Sequence, residues 1–498
     1  MTGRGIVAGY TWRFWTLVVA LGIVTGLAAS ALMWILRLVE RLAYGFHATS
    51  FAAALRASSD LRRVGVVLLA GVLVAGGAIV LGRRAGAGAI EVSEALWLRA
   101  GRLPVLPSLA RGVLSVVTVG LGSSLGREAA PQLAGAALAS RLSDWAGLPV
   151  WQRRLLVACG AGAGFAAVYN VPLGGALFAL EVLLGTLALP LVLPALAVSV
   201  IATAVAWIFL GTAHTYHMAT FSLQAGQMVW AVVCGPVIGV VAIGWVRLIS
   251  TANRLRPAGH NRILAPLLVF ILLGLAAIGY PELLGNGKGI VQAALVGGIS
   301  LGVFALLLIL KPLATAACLG AGAPGGLFTP TLSVGVLLTG VLAGLWAYIW
   351  PHTLTPAYAL IGGGAFLAAA MQGPLSGVVI VLELTRHFDL LMAPTLVAIV
   401  EATIVARRFG APSIYSARLR PDPYEAHDSI GSLDASEECL PPGRGEDAGE
   451  PGRVSGASGH KKTPARTGPE GPDPQPTSTT AADRVRQAAR RSSSSPEL

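Results

Sequence analysis

Long apolar stretches, separated by short polar segments, recur along most of the chain and predict a helical membrane protein. A hydrocarbon core about 30 Å thick needs roughly 20 apolar residues per helix, and shorter stretches are typical of re-entrant or buried segments. Several stretches here are too short for a simple span, or are broken by glycine and proline. Broken helices at membrane depth are tolerated only where they pack within protein or line a cavity. The main apolar stretches cover residues 14–35, 64–81, 155–169, 230–246, 263–278 and 332–348.

The chain contains an internal repeat, because three motifs occur twice in the same order and at nearly the same spacing. Paired halves with glycine-broken helices are typical of transporters built from inverted repeats, whose site lies between the halves near the membrane midplane. We therefore predict an all-α integral membrane protein, a multi-helix bundle of two inverted-topology repeats with broken helices. Repeat one should cover about residues 10–211 and repeat two about residues 228–417. The repeated positions are Gly86, Gly88 and Ala95-Leu96 with Gly285, Gly287 and Ala294-Leu295; Gly120, Gly122 and Gly126 with Gly320, Gly322 and Gly326; and Pro172-Leu173, Gly175 and Glu181 with Pro374-Leu375, Gly377 and Glu383.

Composition and charge agree with a membrane protein and divide the chain into two parts. Hydrophobic residues make up 54% of the 498 residues and charged residues only 12%, about half the charge of an ordinary soluble domain. More than half of the acidic residues lie from Arg420 onward, so the body before it is net positive and the tail net negative. The scattered basic pairs of the body follow the positive-inside bias of cytoplasmic loops, and nucleic-acid binding is disfavoured.

The two parts predict a transmembrane anion-transport domain at residues 1–419 and a disordered cytoplasmic tail at residues 420–498. The tail is rich in proline, glycine, serine and charge, a composition that cannot bury a core. The first apolar stretch has no clear cleavage site and should remain as a helix. We expect a multi-pass protein with both termini in the cytoplasm, in the inner membrane if the source is bacterial. Cysteine and histidine form no cluster with metal-ligand spacing, so we expect no metal and no other cofactor.

The repeated glycine-rich stretches at residues 120–132 and 320–330 provide a candidate anion site. Neither is a nucleotide-binding loop, because the third glycine of the dinucleotide fingerprint is replaced by Leu125 and no Gly-Lys-Ser/Thr follows. At a helix N-terminus, backbone N–H groups and the positive end of the helix dipole can bind an anion without a cationic side chain. Such partial charges hold an anion weakly enough for it to leave.

Together these motifs resemble those of the CLC family of chloride channels and proton-coupled chloride antiporters, over about residues 10–420. The stretch Gly326-Leu-Phe-Thr-Pro330 matches that family's Gly-x-Phe-x-Pro motif, and Gly126-Arg-Glu128 matches the start of its Gly-Lys/Arg-Glu-Gly-Pro motif. Residues 411–417 resemble the segment that carries the family's anion-coordinating tyrosine, and residues 86–91 resemble Gly-Ser-Gly-Ile-Pro-Glu. The resemblance implies a homodimer in a lipid bilayer, with chloride as the transported ion and one path in each subunit.

The resemblance also implies roles for individual residues. Glu128 would be the gate, because its carboxylate can occupy an anion site as a tethered competitor that protonation frees. The hydroxyl of Tyr415 would donate to the anion from the inner side. Viewed alone, Glu128 could instead cap a helix or pair with an arginine, and Tyr415 could be an interfacial anchor. The backbone N–H groups that would line the path belong to Arg127, Ala129, Leu327, Phe328 and Thr329.

Other polar residues of the motifs are assigned to structure. Glu181 and Glu383 are expected to be structural or interfacial, and Arg127 to make structural hydrogen bonds while shaping the local field. Lys311, just before a proline, is expected to extend its amine towards the membrane surface. The ring of Phe328 is expected to pack, since only its backbone faces the path.

Two departures from the family pattern affect the predicted function. Ala87 stands where most relatives have serine, so one hydroxyl donor is absent and the anion preference is left open. Val182 stands where typical antiporters have the second glutamate of a pair, which is their internal proton relay, and valine is the channel-type residue. We therefore favour channel-like chloride conduction of the voltage-gated type, with a proton-coupled chloride antiporter as the alternative.

Three further functions are less favoured. A fluoride-exporting relative is disfavoured because Phe328 and Tyr415 keep the chloride-type pattern. A carrier of organic anions would be expected to need a charged binding residue or a wider pocket. A membrane-embedded enzyme would need a constellation of Asp, His, Ser or metal ligands, and the histidines are scattered along the chain. We therefore predict that the protein is not an enzyme.

Overall fold

The computed structural model describes residues 10–45, 50–84, 91–218, 225–351, 355–386 and 391–419, with the side chains of residues 81–84 excepted. This part of the chain is built from α-helices joined by short connections. The helices of the first half are α1 (Trp12–Tyr44), α2 (Phe51–Ala57), α3 (Asp60–Arg84), α4 (Val92–Leu98), α5 (Val105–Gly120), α6 (Ala129–Trp145), α7 (Val150–Tyr169), α8 (Pro172–Leu177) and α9 (Leu189–Leu210). Those of the second half are α10 (Ala225–Arg254), α11 (Asn261–Gly279), α12 (Lys288–Leu295), α13 (Leu301–Gly320), α14 (Phe328–Trp346), α15 (Thr355–Met371), α16 (Pro374–Thr385) and α17 (Met392–Arg408).

The helices fall into long membrane spans and shorter apolar segments, as the broken apolar pattern predicts. Within the described residues, seven helices are long and apolar enough to cross a bilayer, namely α1, α3, α9, α10, α11, α13 and α14. The helices α5, α15 and α16 are apolar but shorter, and so is α8 together with the π-helical turn Phe178–Leu184 that continues it. Because α15 is apolar on every side, it lies inside the bundle, where all its residues from Ala357 onward are buried.

The two halves repeat one arrangement and face each other across an approximate two-fold axis. In the first half α6 packs against α7 and α1 against α9, and in the second half α14 packs against α15 and α10 against α17. Between the halves, equivalent helices touch each other, α3 with α11 and α8 with α16. Contacts between equivalent elements are expected when two repeats are related by a two-fold axis, and the predicted all-α fold of two repeats with broken helices is confirmed. The repeat boundaries remain predictions, and the predicted tail, residues 420–498, lies outside the described residues.

Two glutamates join the halves by capping helices across the axis. Glu181, in the π-helical turn, accepts hydrogen bonds from the backbone N–H groups of Leu375 (3.2 Å) and Ser376 (2.6 Å) at the start of α16. Glu383, in α16, accepts from Leu173 (3.2 Å) and Gly174 (2.7 Å) at the start of α8. Free N–H groups at a helix N-terminus need acceptors, and a carboxylate there is further stabilised by the dipole. The predicted structural role of both glutamates is confirmed.

The prediction that Lys311 reaches towards the membrane surface is wrong. Its side chain is fully buried within α13, and its amine donates to the carbonyl oxygens of Leu283 (2.9 Å) and Gly285 (2.8 Å). The connection between α11 and α12 brings these two carbonyls to the lysine, and a buried amine is tolerated only when acceptors surround it. Lys311 therefore fixes that connection from inside the second half.

Candidate anion-binding site

Two glycine-rich connections, one from each half, meet at the two-fold axis. They join α5 to α6 and α13 to α14, and each passes through a glycine in a conformation that other residues rarely adopt, with φ of +111° at Gly122 and +89° at Gly322. At the axis the backbone N–H of Gly126 donates to the carbonyl of Gly326, and the N–H of Gly326 donates to the carbonyl of Gly126, each at 2.7 Å. This reciprocal pair places the N-termini of α6 and α14 side by side.

Glu128 lies immediately before α6, yet its carboxylate accepts a hydrogen bond from the other half of the protein. Its Oε1 accepts a hydrogen bond of 2.7 Å from the backbone N–H of Phe328, the first residue of α14. Its Oε2 accepts a hydrogen bond of 2.9 Å from the hydroxyl of Tyr169, the last residue of α7. The residue is only 1% exposed, and its side chain makes no capping hydrogen bond to α6. A carboxylate therefore occupies the backbone N–H site that the sequence predicts for an anion.

The two glycines at the axis make room for that carboxylate. A Cβ atom added to Gly126 or to Gly326 would overlap the carboxylate of Glu128. A side chain at either position would displace the carboxylate, so glycine at both positions leaves space for Glu128 to dock. The recurrence of Gly126 as Gly326, noticed in the sequence as part of a repeat, thus also makes room for the docked carboxylate.

Tyr169 is a site residue that sequence reasoning missed. Besides donating to Glu128, its hydroxyl is hydrogen-bonded to the hydroxyl of Thr329, and its ring packs against the ring of Phe328 at 5.3 Å between centroids. The guanidinium carbon of Arg127 lies 5.3 Å from the centre of the Tyr169 ring, a cation–π distance. The Nε of Arg127 is buried and has no hydrogen-bond partner among the described residues. The structural hydrogen bonds expected of Arg127 stay a prediction.

The start of α14 supplies the opposite wall of the site. Leu327, Phe328 and Thr329 are all buried there, and the ring of Phe328 packs edge-on against Phe165 at 4.7 Å between centroids, as expected for a residue that contributes its backbone. Ala129 begins α6 beside Glu128 and is half-buried. The residues predicted to line the path on either side of the axis are therefore brought together around one carboxylate.

A cavity of about 60 Å³ adjoins Glu128 and contains Tyr415 in its wall. Tyr415 lies between the end of α17 and the 3₁₀ turn Ser416–Arg418, and its ring packs against Phe178 at 5.3 Å between centroids. Ala129 and Leu327 also line this cavity. Glu128 itself lines this cavity, so the cavity reaches the docked carboxylate.

Two predicted positions stand apart from this group. Val182 lies in the π-helical turn, where it is half-buried and packs against Gly373, so no titratable group is found at the relay position. Ala87 lies outside the described residues. π-Helical turns are frequent at functional sites, and this one carries both Glu181 and Val182.

The geometry can be compared with known families. Residues 65–407 match the model of a family described as Voltage gated chloride channel. The chain belongs to this family, the CLC family. A putative chloride channel protein, ClcB-like, from Ralstonia nicotianae is 34% identical over 348 residues, covering 67% of this CLC chain and 79% of the relative. The voltage-gated ClC-type chloride channel ClcB of Citrobacter koseri is 32% identical over 318 residues, covering 62% of this chain and 75% of the relative.

Two solved structures of similar fold are described as antiporters. A slow cyanobacterial Cl-/H+ antiporter gives a TM-score of 0.72 at 21% identity, covering 82% of this CLC chain and 97% of that protein. A CLC-type fluoride/proton antiporter gives a TM-score of 0.67 at 20% identity, covering 84% of this chain and 99% of that protein. These likenesses establish the CLC fold of this multi-pass membrane protein.

Proposed function

We propose that this CLC protein moves chloride across the membrane and that Glu128 is its gate. The observation that carries the proposal is the docked carboxylate, which accepts from the Phe328 N–H and the Tyr169 hydroxyl. Two donors that hold one carboxylate oxygen each can also hold a monovalent anion, because both groups present the same negative charge to the same N–H and O–H dipoles. Chloride is supported as that anion by the names of the two relatives described above.

We further propose that conduction is channel-like and is not coupled to protons. The support is Val182, which offers no proton acceptor at the position where the family's antiporters carry their inner relay. The second candidate is a proton-coupled antiporter, favoured by the descriptions of the similar solved structures. In that case, protons would need another inner route from the cavity to Glu128.

The test uses purified protein in liposomes with a chloride gradient, recording chloride efflux and external pH together. Chloride efflux without uphill proton movement, and with faster efflux in Glu128→Gln, is the expected result. Proton uptake that is coupled to chloride efflux and is abolished in Glu128→Gln would refute channel-like conduction and support the antiporter. Absence of chloride flux in both proteins would overturn chloride transport, and fluoride in the same assay would then identify the next ion.

We propose the remaining properties from the family resemblance. The protein would be a homodimer with one path per subunit, with both termini in the cytoplasm and, in a bacterial source, with the inner membrane as its location. Exposed apolar side chains on α9 and α17, such as Val200 (48%) and Ile404 (60%), offer surface to a second subunit or to lipid. Light scattering of the detergent-solubilised protein would measure the mass, and a monomer mass would contradict the dimer.

A further inference from the structure

The connection between the two halves is fastened over the end of α7, next to the proposed gate. Its described part covers residues 211–218, between α9 and α10. The hydroxyl of Thr215 donates to the carbonyl of Tyr169, the last residue of α7, at 2.9 Å. The backbone N–H of Tyr216 donates to the carbonyl of Leu384 in α16 at 3.1 Å. Both halves of the protein therefore fix the position of Tyr216.

The side chain of Tyr216 is buried with its hydroxyl unused. The residue is 1% exposed, and its hydroxyl has no hydrogen-bond partner among the described residues. Burial raises the pKa of this hydroxyl, and two charges act on the same pKa, Arg127 lowering it and Glu128 raising it. Both charged groups are therefore near the hydroxyl, because the interaction of two charges falls with their separation. A buried hydroxyl without a partner costs free energy, so a group that reaches it in another state of the protein would be stabilised there.

A second unused donor lies near this hydroxyl. The buried Nε of Arg127 has no hydrogen-bond partner in the part of the chain that the structure describes, and the guanidinium lies over the ring of Tyr169. Tyr216 and Arg127 are not among the residues that line the cavity around Tyr415. Two buried donors without an acceptor are thus near the docked carboxylate of Glu128 and outside that cavity.

The charges around Arg127 favour a carboxyl group on this side of the site. Burial lowers the pKa of Lys288, at the start of α12, to about 8, and the charge of Arg127 lowers it further. The charge of Glu40 raises the same pKa and that of Arg37 lowers it, so these four groups lie in one neighbourhood. Three of them are basic and one is acidic. The excess positive charge would attract the carboxylate of the gate once it leaves its docked position.

We propose that Tyr216 is a positioning residue of the gate, which receives the carboxyl group of Glu128 when that group leaves the N–H of Phe328. In the undocked state the Tyr216 hydroxyl and the Arg127 Nε donate to the carboxyl oxygens. Glu128 then exchanges between two sets of donors, and their relative strength sets the fraction of open protein. The proposal rests on the proposed role of Glu128 as the gate and adds the residues that stabilise its open state.

The structure of full-length Glu128→Gln, determined by electron cryo-microscopy in lipid nanodiscs, tests this position without any measurement of flux. The uncharged amide binds the Phe328 N–H less strongly than the carboxylate does, which favours the undocked state. We expect the amide at position 128 within hydrogen-bond distance of the Tyr216 hydroxyl. A docked side chain, or one turned towards Tyr415, would overturn the proposal. An anion between Tyr216 and Arg127, with the side chain elsewhere, would also overturn it and would assign the two donors to a bound ion.

Chloride efflux from liposomes measures the effect of the hydroxyl. Tyr216→Phe removes the donor of the undocked state, so efflux at a fixed pH should fall about 2- to 10-fold, the range for one neutral hydrogen bond. The midpoint of the efflux–pH curve should move to lower pH by up to about one unit, because a less stable undocked state needs a higher proton concentration to form. The matched control is Tyr10→Phe, which removes a hydroxyl bonded to the carbonyl of Pro190 and should change neither quantity.

A purely structural role of Tyr216 gives a different pattern. In the Glu128→Ala background no carboxyl group is left to receive, so adding Tyr216→Phe should leave efflux unchanged. A lower efflux in that background, or an unmoved midpoint in Tyr216→Phe alone, would overturn the positioning role. If the wild type and Glu128→Ala both move no chloride, the proposed function is refuted, whereas the side-chain position in the Glu128→Gln structure still decides the role of Tyr216.

Discussion

The hydrogen bond from Tyr169 to Glu128 gives the most direct test of the gate. Tyr169→Phe removes the hydroxyl that donates to Oε2 at 2.9 Å and leaves the hydrogen bond from the Phe328 N–H to Oε1 in place. The ring contacts with Phe165 and Phe328 do not need the hydroxyl, so the phenylalanine should occupy the same space. The change therefore weakens the docked state without removing it.

The size of the effect follows from the charge on the acceptor. A hydrogen bond to a charged group contributes about 1.5–3 kcal/mol, which corresponds to about 10- to 100-fold in an equilibrium constant. The equilibrium constant between the docked and undocked positions of the carboxylate should therefore fall by that factor. If the docked state blocks chloride, flux at a fixed pH should rise towards the rate of Glu128→Ala, and the increase should be absent when Tyr169→Phe is made in the Glu128→Ala background.

Chloride efflux from liposomes measures the change. Tyr10→Phe is the matched control, because it removes a tyrosine hydroxyl that donates to the carbonyl of Pro190 at 3.2 Å, away from the site. Flux in Tyr169→Phe equal to that of the wild type and the control would refute the idea that Tyr169 holds the gate closed. An equal increase in the Glu128→Ala background would show that Tyr169 acts on the path without Glu128.

Three further predictions concern the packing around the site and across the axis. Gly326→Ala should displace the Glu128 carboxylate and raise chloride flux, whereas Gly302→Ala, whose Cβ would meet no atom within 4 Å, should leave flux unchanged. Glu181→Gln and Glu383→Gln should each lower the free energy of unfolding by about 1–3 kcal/mol. The loss should appear as a lower unfolding temperature in detergent. Equal unfolding temperatures of the variants and the wild type would contradict the capping role. Lys311→Met keeps the apolar length but leaves two buried carbonyls without their donor, so it should cost about 1–3 kcal/mol in the same measurement, and a neutral result would contradict the burial of the amine.

Much of the fold could be predicted from the sequence because its signals are local or repeated. The apolar stretches set the spans, and the recurrence of Gly120, Gly122 and Gly126 in the second half predicted the two-fold arrangement. The same repeat, with the motif around Glu128, was enough to choose the carboxylate that the structure places at the N–H site. These residues are informative in sequence because backbone geometry restricts them.

The contacts that sequence reasoning missed are made between side chains far apart in the chain. Tyr169 ends an apolar helix, where a tyrosine usually marks packing or an interface, and only the approach of α7 to the axis brings its hydroxyl to Glu128. Lys311 was wrongly predicted to reach the surface, because its two carbonyl partners lie on a connection more than 25 residues earlier. Arg418 and Glu91 are separated by 327 positions, and no local pattern pairs them.

The equivalence of the two halves also bears on how such a protein diversifies. The counterpart of Glu128 in the second half is Phe328, and it is the backbone of that counterpart which receives the carboxylate. If both positions carried an acid, the two carboxylates would face each other at the axis and repel. With an acid in one copy and a phenylalanine in the other, a single carboxylate accepts a hydrogen bond from the opposite backbone, and no second charge opposes it. Mutations in either copy can then change how tightly the carboxylate is held. In the first half they act on the side chain of Glu128, and in the second half on the position of the backbone N–H that binds it.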